Sequence, residues 1–322
     1  MSSHLRWSVN CFTVTIGVKQ GCILSPFLFT LAVNWLMTET TKNCRTGIQW
    51  TLTTVLEDLD YADDIDLLSS RHKDIQDKTH KMVDLGGSIG LAVNVTKTKM
   101  MRNNNANQHP IYINNEPVEE VKSFVYLGSC ITPEGDSEKD AEARIIKANQ
   151  VFGMLKPFWR NTKICTETKL RIYRSNILGV LLYGSECWKV TSNLTNKLET
   201  FQNKCLRNIL NIYWPNIISN QALLQSTSCS PIATLVKKRR WMWIGHVCRM
   251  PSDSIPRTAL RWTADGKRKR GRPRETWRRS VEKELKAEGM SWESVTKLAQ
   301  DRGGWRTRVE ASCADVAQKR TK

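Results

Sequence analysis

The chain has 322 residues, 49 Lys plus Arg against 31 Asp plus Glu, a formal net charge of +18 and 40% hydrophobic residues. That apolar share excludes a disordered chain, and no apolar run approaches the roughly 20 residues of a membrane-spanning helix. The opening MSSHLRWSVN has no apolar signal core, and ten Cys lie scattered without a CxxC pair, which points to a reduced intracellular protein, nuclear or cytoplasmic.

In chain order, Ser25-Pro26 reads as a helix start with Ser as N-cap and Pro in the first turn. Leu28, Leu31, Ala32, Trp35 and Leu36 then share a face. LEDLDYADDIDLL (56–68) reads as two strands joined by a tight turn at Ala62-Asp63-Asp64. A helix from about 73 to 85 is expected to stop at Gly86-Gly87. GLAVNVTKTKMM (90–101) reads as a strand entering a turn, Asn103-Asn104-Asn105 as the start of a polar loop, and 111–113 and 123–127 as short strands. After Gly135 the period changes. Ala141, Ile145, Ala148, Phe152 and Leu155 step by three and four, as do Leu170 to Leu181 and Leu194 to Ile209. These helices suit a small bundle. Residues 230–322 hold shorter helical segments and six of the twelve Trp.

Charge follows the same division. Residues 1–135 carry 12 basic and 14 acidic residues, 136–230 carry 13 and 7, and 231–322 carry 24 and 10. A gradient this steep says that the last third meets a polyanion, of which nucleic acid is the usual one. Anionic lipid competes, but KRKRGRPR (267–274) has no apolar helical face beside it.

Asp63 and Asp64 are adjacent at a turn between apolar strands. Neighbouring carboxylates repel, and burial makes this worse; a hard divalent cation resolves the conflict. A solvated turn is the plain alternative, since turns favour Asp for ordinary reasons.

The neighbouring residues widen the pattern. Tyr61-Ala62-Asp63-Asp64 resembles the YxDD box of reverse transcriptases. GVKQGCILSPFLF (17–29) resembles their G-x-x-Q-G-x-x-x-S-P box, GLAVNVTKTKMM their following G-L-x-x-N-x-x-K-T-K box, and Phe124-Val125-Tyr126-Leu127-Gly128 their primer grip. The boxes stand in the family's order, in the style of non-LTR (LINE-type) retrotransposons. LLYGSECW (181–188), RRWMWIGHVCRMP (239–251), GKRKRGRPRETWRR (266–279) and AQDRGGWR (299–306) also resemble the C-terminal part of such reading frames.

The resemblance implies an α+β fold in three parts. Residues 1–135 would be a partial right-hand palm, an antiparallel sheet with helices. Residues 136–230 would be a helical thumb, and 231–322 a basic, Trp-rich helical region that binds nucleic acid. Asp63 and Asp64 would bind catalytic Mg²⁺, Tyr61 would lie beside the primer end, and Gln20 and Gly21 would contact the template–nucleotide pair. Lys97 would be the general acid for pyrophosphate, with Lys99 competing, and Tyr126, Leu127 and Gly128 the primer grip. The reaction would be attack of a DNA primer 3′-hydroxyl on a dNTP, directed by an RNA template.

The same resemblance implies a gap. The family takes a third metal-binding carboxylate from an earlier strand, and residues 1–16 hold no Asp or Glu. Asp60 and Asp66 are nearby, and Asp66 can share a side with Asp64, but neither belongs to that strand. The expectation is a chain truncated before its first catalytic box and fingers, with little or no polymerase activity alone; the rival is a non-catalytic nucleic-acid-binding remnant or recruited protein.

In the basic region, Lys237, Lys238, Arg239 and Arg240, with Lys267, Arg268, Lys269, Arg270, Arg272 and Arg274, are the candidate phosphate contacts. Residues 265–274 read as an exposed linker; the Arg-Gly-Arg-Pro within it suits a minor-groove hook, and KRKR a nuclear-localisation signal. Trp241, Trp243 and Trp262 interleave with the cations, in an order that suits base stacking or a helical core. Cys229, His246 and Cys248, with Cys205 or Cys187 as a fourth ligand, fit no common zinc spacing, and buried thiols are the expected reading.

Overall fold

The computed structural model describes residues 21–103, 109–263 and 276–319, with side chains as far as Cys313. The chain divides into two compact units, residues 1–98 with 107–119, and residues 99–106 with 120–322. The division falls near residue 120 rather than 135, and the helices expected as two regions, 136–230 and 231–322, lie in one unit. Among the described residues no helix is long and apolar enough to cross a membrane.

The elements up to residue 131 are α1 (Ser25–Thr41), β1 (Ile48–Gln49), β2 (Val55–Leu56), β3 (Asp58–Tyr61), β4 (Asp64–Leu67), α2 (His72–Ser88), β5 (Lys99–Met100), β6 (Tyr112–Ile113), β7 (Glu116–Pro117), β8 (Glu119–Glu120), β9 (Phe124–Tyr126) and β10 (Ser129–Ile131). Mixed α and β structure is as expected, but the strands pair only two by two. Among the described residues no continuous antiparallel sheet is built. A lone hairpin is marginal in water, so each must lean on a helix.

In the first unit that support comes from α1 and α2. Val33, Leu36, Met37 and Met82 form a small core, joined by Ile65 and Leu67 from β4. Ser25 is the first helical residue rather than the N-cap, which is Leu24 and makes no side-chain cap bond. The shared apolar face is corrected in part, since of its residues Leu36 is buried. Leu28, Leu31 and Trp35 are exposed while Val33, Leu36 and Met37 turn inward. A helix apolar on every side has no single face to read from periodicity.

Helix α2 runs through Gly86-Gly87 instead of stopping there. A Cβ on Gly86 would stand 3.2 Å from the Leu91 carbonyl oxygen, so this glycine serves close packing. The exit comes at Gly90, at φ +78°. Gln76 on α2 accepts from the Tyr112 N–H at 2.8 Å and donates to its carbonyl at 2.7 Å, replacing a neighbouring strand on β6. The hairpin β6–β7 closes over Asn114-Asn115, both at positive φ, as a mirror-image turn requires.

The remaining elements are α3 (Ser137–Met154), α4 (Lys156–Arg160), α5 (Thr166–Ile172), α6 (Leu178–Leu181), α7 (Ser192–Ile209), α8 (Asn220–Ser226), α9 (Ile232–Cys248), α10 (Ile255–Ala259), α11 (Trp277–Ala287), α12 (Trp292–Leu298) and α13 (Arg302–Lys319). A five-residue π-helical turn, Tyr173–Ile177, joins α5 to α6. The three periodic stretches after residue 135 pack as expected: Ala141, Ala148, Tyr173, Ile177, Leu194 and Leu206 share one core. A second core gathers Trp241, Ile244, Val247, Val281, Leu285 and Trp305.

Helix α9 belongs to both cores. Ile232 and Val236 enter the first, and Trp241, Ile244 and Val247 the second. The second core is seated by a glycine. A Cβ on Gly245 would lie 2.1 Å from Nε1 of Trp305, and that indole, 3% exposed, donates to the Trp241 carbonyl at 3.0 Å. The indole is buried and bonded, so it cannot swing away. We expect Gly245→Ala to destabilise the helical unit by about 1–3 kcal/mol, read as a lower denaturation midpoint at an unchanged m-value.

Candidate functional site

The acidic hairpin forms where the sequence places it. Asp58 pairs with Leu67, Leu59 with Asp66, Asp60 with Ile65 and Tyr61 with Asp64, leaving Ala62-Asp63 as a two-residue turn with Ala62 at φ +57°. Directly paired residues share a face, and faces alternate along a strand. Ile65 and Leu67 point to the helices. Asp64 and Asp66 therefore share the opposite face with Tyr61 and Leu59. Asp63 and Asp64 are exposed at the tip, as is Tyr61, while Asp58 and Asp66 are half-buried.

This crowding has an electrostatic cost. Burial first, and then the charge of Asp64, pushes the Asp66 carboxyl above its ordinary value. Burial and then Asp60 do the same to Asp58, partly offset by Lys78. The base of the hairpin is compensated differently. Lys78 of α2, 3% exposed, forms an ion pair with Glu57 and donates to the Leu68 carbonyl at 2.6 Å. Burial would raise Glu57, but the Lys78 bond and the N–H groups of Gly47 and Thr46 outweigh it and hold the carboxyl below its usual range.

Carboxylate oxygens at a turn are the donor type that Mg²⁺ takes. The number is short: among the described residues no group of three or more His, Cys, Asp or Glu is disposed to hold a metal, and Asp63 and Asp64 alone do not enclose two ions.

The other expected site residues divide. Gly21 sits at φ +85° with open space around its Cβ position, so it meets a backbone need here. Gln20 lies outside the described residues, as do Lys267, Arg268, Lys269, Arg270, Arg272 and Arg274 with the expected linker and hook. The stretch expected as a strand entering a turn at 90–101 has its order reversed: residues 91–94 are irregular, a turn follows at 95–97, and the strand β5 comes after it, because Asn94 competes for the backbone. The Asn94 side chain accepts from Thr96 Oγ1 at 2.8 Å and the Lys97 N–H at 3.1 Å, and its carbonyl accepts from the Thr98 N–H at 3.0 Å. This turn presents Lys97 to solvent.

In the second unit, β9 and β10 close over Leu127 at φ +46° and Gly128 at +81°, between paired Tyr126 and Ser129. Two side chains hold this strained turn, and the sequence reading missed both. Buried Arg144 donates to the Gly128 carbonyl at 2.5 Å, Tyr183 donates to the Leu127 carbonyl at 2.9 Å, and the guanidinium lies 4.2 Å over the Tyr183 ring. One signal was available: Arg144 falls on the apolar stripe of Ala141, Ile145 and Ala148, where a cation needs a partner.

The basic run of α9 is split by the helix period. Arg240 is fully buried, bonding Glu284 at 2.7 Å and the Trp188 carbonyl at 3.3 Å. Lys237 bonds Glu288 and Ser312, each at 2.9 Å. These two expected phosphate contacts are structural instead. Lys238 and Arg239 keep partial exposure. Trp241 is likewise core, donating to Glu284 at 2.7 Å, whereas Trp243 is half-buried. Among the cysteines, burial pushes the Cys205 thiol up to about 12, and Cys248 is raised by burial too.

The raised carboxyl of Asp66 gives a testable sign. A folded-state value above the unfolded one means that the folded protein binds more protons between the two. Stability of the hairpin unit should fall as pH rises from about 4 through the raised value. Asp66→Asn should remove that part of the fall, measured as the denaturation midpoint against pH.

Comparison with known proteins agrees with the hairpin and extends it. Residues 4–131 match the reverse transcriptase (RNA-dependent DNA polymerase) family, and residues 151–183 match a domain of unknown function. An uncharacterized transposon-derived protein of Caenorhabditis elegans is 26% identical over 265 residues, 78% of this chain and 94% of that protein. The match begins upstream of Gly17 and lies at the N-terminal end of the chain, which corrects the reading of the whole chain as the C-terminal part of such an enzyme. Over residues 4–131, therefore, this chain is reverse-transcriptase-like, and over most of its length it is similar to a transposon-derived protein.

Proposed function

We propose that this chain is the palm-and-thumb portion of a LINE-type reverse transcriptase, which binds an RNA template and a DNA primer and, alone, has little or no polymerase activity. The observation that carries the reading is the hairpin: Tyr61 and Asp64 pair across the two-residue turn Ala62-Asp63, with both turn carboxylates exposed, inside a segment that matches reverse transcriptases.

In this reading Asp63 and Asp64 are two ligands of a Mg²⁺ site, with Tyr61 beside the primer end. Gln20 and Gly21 lie against the template–nucleotide pair, Lys97 serves as the acid for pyrophosphate, and Tyr126, Leu127 and Gly128 grip the primer. Arg144 and Tyr183 position that grip. The helices after residue 136 act as the thumb, and the charge beyond residue 231 follows phosphates.

The donor set limits the chemistry. Two ions that flank a reacting phosphate need several fixed oxygens, and residues 1–38 of this chain contain no carboxylate. In this reading a turnover-competent site would need a further carboxylate beside Asp63 and Asp64. The second reading, a non-catalytic nucleic-acid-binding protein, rests on that same shortage.

Primer extension with the full chain, an RNA template, a DNA primer, dNTPs and Mg²⁺ tests this. We expect no incorporation above background, together with tight template–primer binding whose affinity falls steeply with salt. Robust incorporation that disappears in an Asp63→Asn, Asp64→Asn variant would overturn the inactivity; absence of nucleic-acid binding would overturn the assignment itself.

A further inference from the structure

The helical unit holds an open cavity of about 550 Å³ between the π-helical turn, α6 and α9. Its chemistry is divided. Leu178, Leu182 and Trp243 supply apolar walls, and Arg174, Lys238 and Arg239 supply cations. One acid, Glu186, also lines it.

The walls are fixed. Trp243 stands perpendicular to Trp277 with ring centroids 6.0 Å apart, and Trp277 donates to the Glu186 carbonyl at 2.7 Å. Arg239 donates to the Leu182 carbonyl at 2.7 Å and pairs with Glu186 at 3.8 Å, so it is partly neutralised. Arg174 projects from the π-helical turn and donates to the Thr227 and Ser228 carbonyls at 2.9 and 3.1 Å. These bonds leave the guanidinium charge uncancelled by any carboxylate among the described residues. Lys238 shares the exposed Glu310 at 3.2 Å, a rim pair that a phosphate can displace. A π-helical turn is uncommon and often marks a functional position.

An aromatic wall, an aliphatic floor and a ring of cations together suit a planar ring bearing an anion. We propose that this cavity receives unpaired bases of a nucleic-acid strand, stacked on Trp243, with the flanking phosphates at Arg174, Lys238 and Arg239. The proposal rests on the nucleic-acid-binding reading above and adds a site for unpaired strand. Sequence preference would be weak, because every base offers a ring face.

The test uses the full chain and a short single-stranded RNA carrying 2-aminopurine, with the same label in a duplex as control. Binding of the single strand should quench the fluorophore by stacking, and the duplex should show little quenching. Trp243→Leu should abolish the quenching and weaken binding about tenfold. Lys238→Gln should weaken binding and lower its salt dependence while the quenching at saturation persists. Should Trp243→Leu fail to fold, photo-crosslinking of the wild-type chain to 5-iodouridine RNA replaces it, with an adduct expected at Trp243 or its cavity neighbours. Binding with no quenching, or adducts confined to other surfaces, overturns the cavity proposal and leaves the wider reading standing. A chain that binds neither RNA overturns both.

Discussion

Six carboxylates lie between Glu57 and Asp66, with no cation among those ten residues. Their mutual repulsion is the constraint around which the first unit is organised. One of the six is neutralised from outside by Lys78 of α2, and hydrogen bonds to the Leu68 carbonyl and the Thr46 N–H tie that pair into the backbone at the hairpin's base. The others are kept apart by register. Asp58 and Asp60 fall on one face, Asp64 and Asp66 on the other, and Asp63 stands at the turn. Ile65 and Leu67 then do the anchoring, because a two-stranded ribbon carrying this much charge has no other apolar hold on the helices. A one-residue slip would send both apolar anchors to the outer face, so the charges and the core specify the same register.

The second unit meets the opposite problem, an excess of cations, and solves it by burying some and exposing others. The four consecutive cations of α9 span slightly more than one helical turn, so they cannot share a surface. Arg240 turns into the junction of the two cores and shares Glu284 with Trp241. Burial raises the Glu284 carboxyl and Arg240 pulls it back, with burial the stronger. In a buried pair of this kind the desolvation cost offsets much of the attraction. Lys237 spans Glu288 and Ser312. Of the four, Lys238 and Arg239 keep partial exposure while pairing with Glu310 and Glu186.

These cases show what was legible in the sequence. The acidic hairpin was readable because its turn, its flanking strands and its family motif all agree. The helices after residue 135 were readable because one face of each is apolar and the other is not. Helix α1 was not, since Leu28, Leu31 and Trp35 look like a buried face and only the pairing with α2 shows that Val33 and Met37 are inward. Gly86-Gly87 looks like a stop, but Gly86 is a packing contact, a distinction carried by Leu91 and by Leu36 of α1, while Gly87 has open space around it. The segment from Phe124 to Gly128 was legible as a motif, but what holds its turn was not. The bonds from Arg144 and Tyr183 join residues 16 and 56 positions away from the turn they hold.

The two units carry opposite charge problems, and the proposed function gives each a use. The hairpin unit concentrates negative charge at an exposed turn, which by itself repels a nucleic-acid backbone. The helical unit carries the cations and aromatic rings that attract one. In the proposed reading, divalent ions held by Asp63 and Asp64 would offset that repulsion and let a phosphate approach the tip. Asp63 and Asp64 are the two carboxylates exposed at that tip, and two carboxylates offer fewer oxygens than a pair of hard cations takes. In the proposed reading, surface charge and stacking account for binding, and the chemistry waits on the donors that would complete a metal site at the tip.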